Sequence, residues 1–177
     1  MTGGESGPDD SAPPDTASAD DQRPVVAAFD VDGTITERDC VVPFMRRVRS
    51  PLVISGRLGR RPHRLLPAVV HRDRDRIKEL AAVAAFRGLL ERDVLDAGAE
   101  FARHVHDRWL RSDVIEHLRG HQAAGHTTVF VSASFEAYLE PLASLLGVDG
   151  VVATRLAASD GVLTGRLEGA NCRGAEK

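Results

Sequence analysis

Hydrophobic residues fall into short continuous runs separated by long segments with helical periodicity. Runs at residues 25–29 and 127–131 predict two buried strands. A third run at residues 151–153 leads through an Asp-Gly turn into an alternating segment, 162–167, which predicts a hairpin. This order favours an α/β fold with a Rossmann-like parallel sheet.

The segment between the first two predicted strands is helical in pattern. Apolar residues recur there at helical spacing, as at Ile77, Leu80, Ala81 and Ala84. Prolines and glycines interrupt the pattern, so several short helices are expected rather than one long helix. Because residues 39–110 are too many for an ordinary strand-to-strand crossover, they predict a helical cap.

The predicted domain organisation follows from this insertion. Residues 24–38 and 111–177 form the core on either side of the cap, and residues 1–23, poor in large apolar side chains, form a disordered tail. Ser112 is expected to cap one core helix and Ser134 the next. Pro141 is expected to kink or divide that second helix.

The composition argues against several classes of protein. With 42% hydrophobic residues the chain can bury one sizeable core, and a formal net charge of -3 argues against a nucleic-acid partner. Apolar runs are too short to span a bilayer, so a cytoplasmic protein is the expectation. Cys40 and Cys172 lie far apart, which indicates reduced thiols rather than a disulfide framework or a zinc site.

Two carboxylates leave the carboxyl end of the first predicted strand. Asp30 and Asp32 are two residues apart, so they project to the same side if the strand continues. Open α/β sheets bind ligands at this edge, and two close carboxylates call for a hard divalent cation, Mg²⁺. The alternative is that Asp-Val-Asp-Gly is only a turn.

Three segments, in this order, resemble the first three motifs of the haloacid dehalogenase (HAD) superfamily of phosphotransferases. They are the sequence Asp-Val-Asp-Gly-Thr at residues 30–34, the strand leading to Ser132, and residues 171–177. The long helical insert resembles the cap of the subgroup (subfamily IB) that contains phosphoserine phosphatases and a bacterial phosphatidylglycerophosphate phosphatase. The resemblance implies a HAD core with an inserted helical cap.

The resemblance also implies roles for individual residues. Asp30 would be the nucleophile that forms an aspartyl-phosphate, and Asp32 the general acid and base. Asp30 and the backbone carbonyl of Asp32 would hold Mg²⁺, and Ser132 would bind a phosphate oxygen. Lys177 would supply the cation of the third motif, with Arg173 as its rival.

The function implied is that of a Mg²⁺-dependent phosphomonoester hydrolase. Its substrate would be a small phosphometabolite or a lipid phosphate. A fourth motif, which in this superfamily follows the third on a later strand, is missing up to Lys177, so a C-terminally truncated chain and an incomplete core are expected. The alternatives are phosphoserine phosphatase specifically and a truncated, non-catalytic phosphate-binding protein.

Two further features of the sequence are a pair of histidines and a basic stretch. His117 and His121 have the helical spacing of zinc ligands, but the sequence shows no third ligand, so a solvated pair is expected. Basic side chains dominate residues 46–78. They form either a soluble helical face or a surface for an anionic substrate or membrane. The oligomeric state is unknown.

Overall fold

A computed structural model describes residues 24–60, 62–70 and 73–168. Its sheet has the order β1-β2-β3-β4, with strands β1 (Val26–Phe29), β2 (Thr127–Phe135), β3 (Gly150–Ser159) and β4 (Val162–Glu168). The first three strands are parallel, and β4 returns antiparallel to β3. The predicted α/β fold and the hairpin are therefore confirmed. The predicted tail and the third motif lie outside the described residues.

Among the described residues, five helices lie between β1 and the helix that leads to β2. These are α1 (Val41–Val48), α2 (Pro51–Gly59), α3 (Pro62–Val70), α4 (Arg74–Phe86) and α5 (Glu91–Arg108). Helix α6 (Ser112–Ala123) precedes β2, and α7 (Glu136–Leu146) connects β2 to β3. The expectation of several short helices is confirmed. No helix among the described residues is long and apolar enough to cross a bilayer.

An aromatic cluster joins the first helices to the sheet. Phe44 of α1 packs edge-on against Tyr138 of α7, with ring centroids 4.9 Å apart, and Phe86 of α4 packs in the same way against Phe135 of β2. Phe101 of α5 contacts Phe44 and Tyr138. All five side chains are buried. Each contributes about 1.5–3 kcal/mol by burial, so α1, α4 and α5 are held firmly on the end of β2 and on α7.

Helices α5 and α7 approach each other at a glycine. A Cβ placed on Gly98 would lie 2.0 Å from the carbonyl oxygen of Ala137. That carbonyl lacks the usual N–H donor four positions later, because residue 141 is a proline. The glycine in α5 and the proline in α7 therefore meet at one close backbone contact.

Four local expectations differ from the structure. Pro141 does not divide α7, which runs continuously through it, and α6 begins at Ser112 itself, preceded by Arg111 without a side-chain cap. Ser134 caps no helix because β2 continues through it to Phe135. The first strand is less buried than its apolar run suggests: β1 is an edge strand of the described sheet, and Val26 is 61% exposed.

Candidate active site at the carboxyl ends of the strands

The two aspartates of the first motif lie just beyond β1. The backbone from Val31 to Ile35 forms a wide turn closed by the N–H of Thr36, which donates to the carbonyl of Val31 at 3.0 Å. Gly33 has a φ of 76°, a left-handed conformation that glycine adopts without a steric penalty. The tetrapeptide thus forms a turn at the carboxyl end of β1.

Strand β2 brings its own polar side chains to the same edge of the sheet. Phe29 pairs in register with Phe130, and the two strands are parallel, so the residues that follow them emerge side by side. Ser132 and Ser134 are two residues apart on β2 and both are buried. This register is what brings the second motif to the first.

Asp32 is held by hydrogen bonds to both carboxylate oxygens. The hydroxyl of Ser134 donates to one oxygen, and the backbone N–H of Cys40 donates to the other at 2.9 Å. Burial raises the pKa of Asp32 above its ordinary value, and the hydrogen bonds from Ser134 and Cys40 oppose that rise. A carboxyl group whose proton is held more tightly is suited to donating that proton to a leaving group.

Ser132 is linked to Asp32 through Ser134. Its hydroxyl accepts a hydrogen bond from the backbone N–H of Ser134 at 3.1 Å, and its side chain is 1% exposed. The structure therefore gathers Asp32, Ser132 and Ser134 at one edge. Sequence reasoning missed the role of Ser134, although its spacing of two from Ser132 on a strand was the available signal.

Asp30 is exposed at the end of β1, whereas Asp32 is half-buried. Asp30 therefore faces solvent, and Asp32 is anchored by its hydrogen bonds. Lys177 and Arg173, the candidate cations of the third motif, lie outside the described residues. Across the part of the chain that the structure describes, no three His, Cys, Asp or Glu side chains gather as a metal site.

A lysine from α4 reaches the end of β2 and the middle of β3. The ammonium group of Lys78 donates hydrogen bonds to the carbonyl of Ala133 and to the hydroxyl of Thr154, the latter at 2.8 Å. The Thr154 hydroxyl in turn donates to Ala133 at 2.9 Å. Sequence reasoning placed Lys78 only within the basic stretch, because nothing in the linear pattern links it to residues 55 and 76 positions away.

Two more polar groups border Asp32 from the protein interior. Burial, reinforced by the charge of Asp32, raises the pKa of the Cys40 thiol to about 12, so this thiol stays protonated at neutral pH. Burial likewise raises the pKa of Tyr138 well above its usual value. The Tyr138 hydroxyl has no hydrogen-bond partner among the described residues. The side of Asp32 that faces the protein interior is therefore lined by uncharged, buried groups.

Solved structures share this arrangement of elements. A protein of unknown function from Bordetella pertussis Tohama I is similar with a TM-score of 0.60 and 25% identity, over 85% of this chain and 69% of that one. A phosphoserine phosphatase structure, described as a phospho-aspartyl intermediate analogue, has a TM-score of 0.51 and 18% identity. It covers 84% of this chain, which spans 64% of that protein. These likenesses confirm the predicted α/β fold.

Sequence comparison identifies the family. Protein CicA of Caulobacter vibrioides is 34% identical over 156 residues, which are 88% of this chain and 70% of that protein. The model of the haloacid dehalogenase-like hydrolases matches residues 27–177, a span that contains Asp30, Asp32, Ser132 and Ser134. The chain therefore belongs to the haloacid dehalogenase-like hydrolase family, as its motifs predicted.

Proposed function

We propose that this hydrolase cleaves phosphomonoesters through an aspartyl-phosphate on Asp30. The observation that carries the proposal is the different environment of the two aspartates. Asp30 is exposed, whereas Asp32 is half-buried, held on both oxygens, and raised in pKa by burial. Two neighbouring carboxyl groups whose surroundings differ in this way suit a nucleophile and a general acid.

The proposed reaction has two steps. First, a carboxylate oxygen of Asp30 attacks phosphorus, the P–O bond to the alcohol breaks, and Asp32 donates its proton to the leaving oxygen. Second, Asp32 takes a proton from a water molecule, which attacks the aspartyl-phosphate and releases inorganic phosphate. The hydrogen bonds from Ser134 and Cys40 hold Asp32 in one position through both steps.

Mg²⁺ is the proposed cofactor. Asp30 would supply a carboxylate oxygen and Asp32 its backbone carbonyl, the hard oxygen donors that Mg²⁺ prefers. The carboxylate oxygens of Asp32 each accept one hydrogen bond, which fixes that side chain for proton transfer, and the backbone carbonyl of the same residue is assigned to the ion. When bound, Mg²⁺ screens the repulsion between an anionic phosphate and the nucleophile.

Phosphate binding is assigned to Ser132, with Lys177 or Arg173 as the cation of the third motif. Lys78 is a further cation at this edge, since it contacts Ala133 between Ser132 and Ser134. A positive charge there favours a dianionic phosphate group over a neutral ligand. The phosphate esters that this site would accept include both small phosphometabolites and lipid phosphates.

One observation favours a lipid phosphate. Helices α2 and α3 expose large apolar side chains, namely Leu52, Val53, Leu66, Val69 and Val70, between 42% and 84% exposed. The surrounding basic stretch adds positive charge, although Arg49 and Arg57 are engaged internally with carbonyls at the end of α4. Exposed apolar residues with basic neighbours fit an anionic membrane surface. We therefore propose α2 and α3 as the membrane-facing side of the protein.

Asp30→Asn tests the nucleophile. We expect the full-length variant to fold normally and to lose hydrolysis of p-nitrophenyl phosphate, because an amide cannot form the acyl phosphate. Beryllofluoride with Mg²⁺ should raise the melting temperature of the wild type and not that of the variant. Hydrolysis retained by Asp30→Asn would overturn the nucleophile assignment. Asp96→Asn, on the exposed face of α5, is the matched control.

A further inference from the structure

The strand that carries Ser132 and Ser134 loses its regular pairing at these residues. Strand β2 is in parallel register with β3 at Val131 and again at Phe135. Between these two pairs β2 advances from 131 to 135, whereas β3 advances only from 152 to 154. Irregularities of this kind occur beside active sites, where they re-aim side chains. Regular strand pairing therefore does not hold the two serines in place.

Two side chains hold the middle of this irregular segment. The carbonyl of Ala133 accepts hydrogen bonds from the ammonium group of Lys78 and from the hydroxyl of Thr154, the latter at 2.9 Å. Lys78 also donates to the Thr154 hydroxyl at 2.8 Å. The three groups form a closed triangle, because a hydroxyl can donate one hydrogen bond while it accepts another. Thr154 is buried and Lys78 is half-buried, so water does not readily replace either donor.

The triangle fixes the peptide group on which both serines depend. The carbonyl of Ala133 and the N–H of Ser134 belong to one planar peptide group, so fixing the direction of the carbonyl also fixes that of the N–H. This N–H donates to the Ser132 hydroxyl at 3.1 Å. The hydroxyl of Ser134, one residue on, donates to Asp32. The orientation of a single peptide group therefore sets the positions of both hydroxyls.

We propose that Lys78 and Thr154 are positioning residues of the active site, which act through the peptide group between residues 133 and 134. The inference rests on the proposed function, in which Ser132 binds phosphate and Ser134 holds Asp32. In this role the two side chains act through the backbone and not by touching the phosphate. The role is distinct from attraction of an anion by Lys78, because Thr154 is uncharged and holds the same carbonyl.

The packing of α4 determines where the ammonium group of Lys78 lies. The helix comes very close to β4, since a Cβ placed on Gly165 would lie 2.8 Å from the Cα of Val83. The ammonium group of Lys78 also lies 5.4 Å from the centre of the Phe135 ring, a cation–π contact with β2. A helix from the segment between the first two strands therefore supports the geometry of the second motif.

Steady-state kinetics of the full-length protein with p-nitrophenyl phosphate test the proposal. We expect Thr154→Val and Lys78→Met each to lower kcat by about ten- to hundredfold, because both misplace the same peptide group. Thr154→Ser keeps the hydroxyl and should recover most of the activity. The double variant should lose much less than the product of the two single losses. Wild-type kcat in Thr154→Val, with a raised KM in Lys78→Met, would show that Lys78 acts by charge alone and would overturn the proposal.

Thr164→Val is the matched control for the loss of a threonine hydroxyl. The Thr164 hydroxyl donates to the carbonyl of Ala157 at 3.0 Å, within the same β3–β4 hairpin but away from the serines. This variant should keep the kinetics of the wild type. An equal loss of kcat in Thr164→Val and Thr154→Val would assign the effect to the hairpin as a whole and overturn the proposal.

Hydrogen exchange at the amide of Ser134, measured without substrate, tests the geometry independently of any activity. We expect this amide to exchange faster in Thr154→Val and Lys78→Met than in the wild type. The amide of Ile115 in α6 should stay protected, which shows that the variants are folded. Unchanged exchange at Ser134 would overturn the positioning role whether or not the protein hydrolyses phosphate esters. Hydrolysis retained by Asp30→Asn would instead overturn the proposed nucleophile and leave the exchange result unaffected.

Discussion

The hydroxyl of Ser134 donates a hydrogen bond to a carboxylate oxygen of Asp32, a residue 102 positions earlier in the chain. This bond stabilises the charged form of Asp32, and burial favours the neutral form. The pKa of Asp32 is thus raised by desolvation and lowered by two hydrogen-bond donors, Ser134 and Cys40. A substitution can alter one of these effects without the other.

Ser134→Ala removes one of the donors and leaves the burial. We expect the pKa of Asp32 to rise further, because a buried carboxylate has lost a hydrogen bond to its charged form. The limb of the pH–rate profile that reports Asp32 should move to higher pH, with a smaller loss of turnover than removal of Asp32 causes. Ser144→Ala, an exposed serine of α7, should leave the profile unchanged. An unchanged profile in Ser134→Ala would contradict the assigned role.

Asp32→Asn should lower turnover by about 10²- to 10⁴-fold, the usual contribution of a general acid and base. It should also make the folded state more stable at neutral pH. The folded-state pKa of Asp32 is raised, so its favourable contribution exists at low pH and is lost as pH rises through that pKa.

The pH dependence of the free energy of unfolding tests this effect on stability. The variant should gain stability over the wild type as pH rises from about 4, the unfolded value, through the folded pKa of Asp32. Chemical denaturation of both proteins across this range measures the difference. A variant that is less stable than the wild type at pH 7 would show that the charged form of Asp32 stabilises the fold.

Gly98→Ala tests the close contact of α5 with α7. The added methyl group would meet the Ala137 carbonyl at 2.0 Å, so the helices must separate, at a cost of about 1–3 kcal/mol. Gly120→Ala, in α6, has nothing within 4 Å of its new Cβ. That control should be stabilising by about 0.5–1 kcal/mol, because alanine favours a helix more than glycine does. Equal effects of the two substitutions on urea unfolding would exclude the close contact.

The membrane-facing side is tested with vesicles. Binding to anionic vesicles should decrease with salt, since screening weakens the attraction of basic side chains to the surface. Replacing Leu52 and Val70 together by serine should weaken binding about tenfold or more, because both side chains are over 70% exposed and would be buried in the interface.

Leu95→Ser is the control for that experiment. Leu95 is 51% exposed on α5, outside the proposed surface, and its substitution should not change vesicle binding. Equal binding of the wild type to neutral and anionic vesicles would remove the charge argument. Loss of binding in Leu95→Ser as well would show a nonspecific hydrophobic effect.

Local patterns were sufficient to predict the strands, the hairpin and the position of the first motif. The apolar runs and the Asp-Gly turn act over a few residues, and the family motifs are contiguous in sequence, so each can be recognised without tertiary contacts. The same patterns misplaced Ser134 as a helix cap. A serine near a strand end has two possible partners, a helix N–H or a distant carboxylate, and only the register of β1 with β2 decides between them.

The sequence by itself therefore determined that Asp30 and Asp32 end a strand of a HAD-type hydrolase. Only the tertiary structure decided what surrounds them: the Ser134 hydroxyl on Asp32, and Lys78 of α4 at the end of β2. The physical reason is that hydrogen-bond partners and desolvation depend on which distant segments pack together. That packing depends on side-chain shapes and on how closely the backbones approach each other, and a short sequence pattern does not encode either.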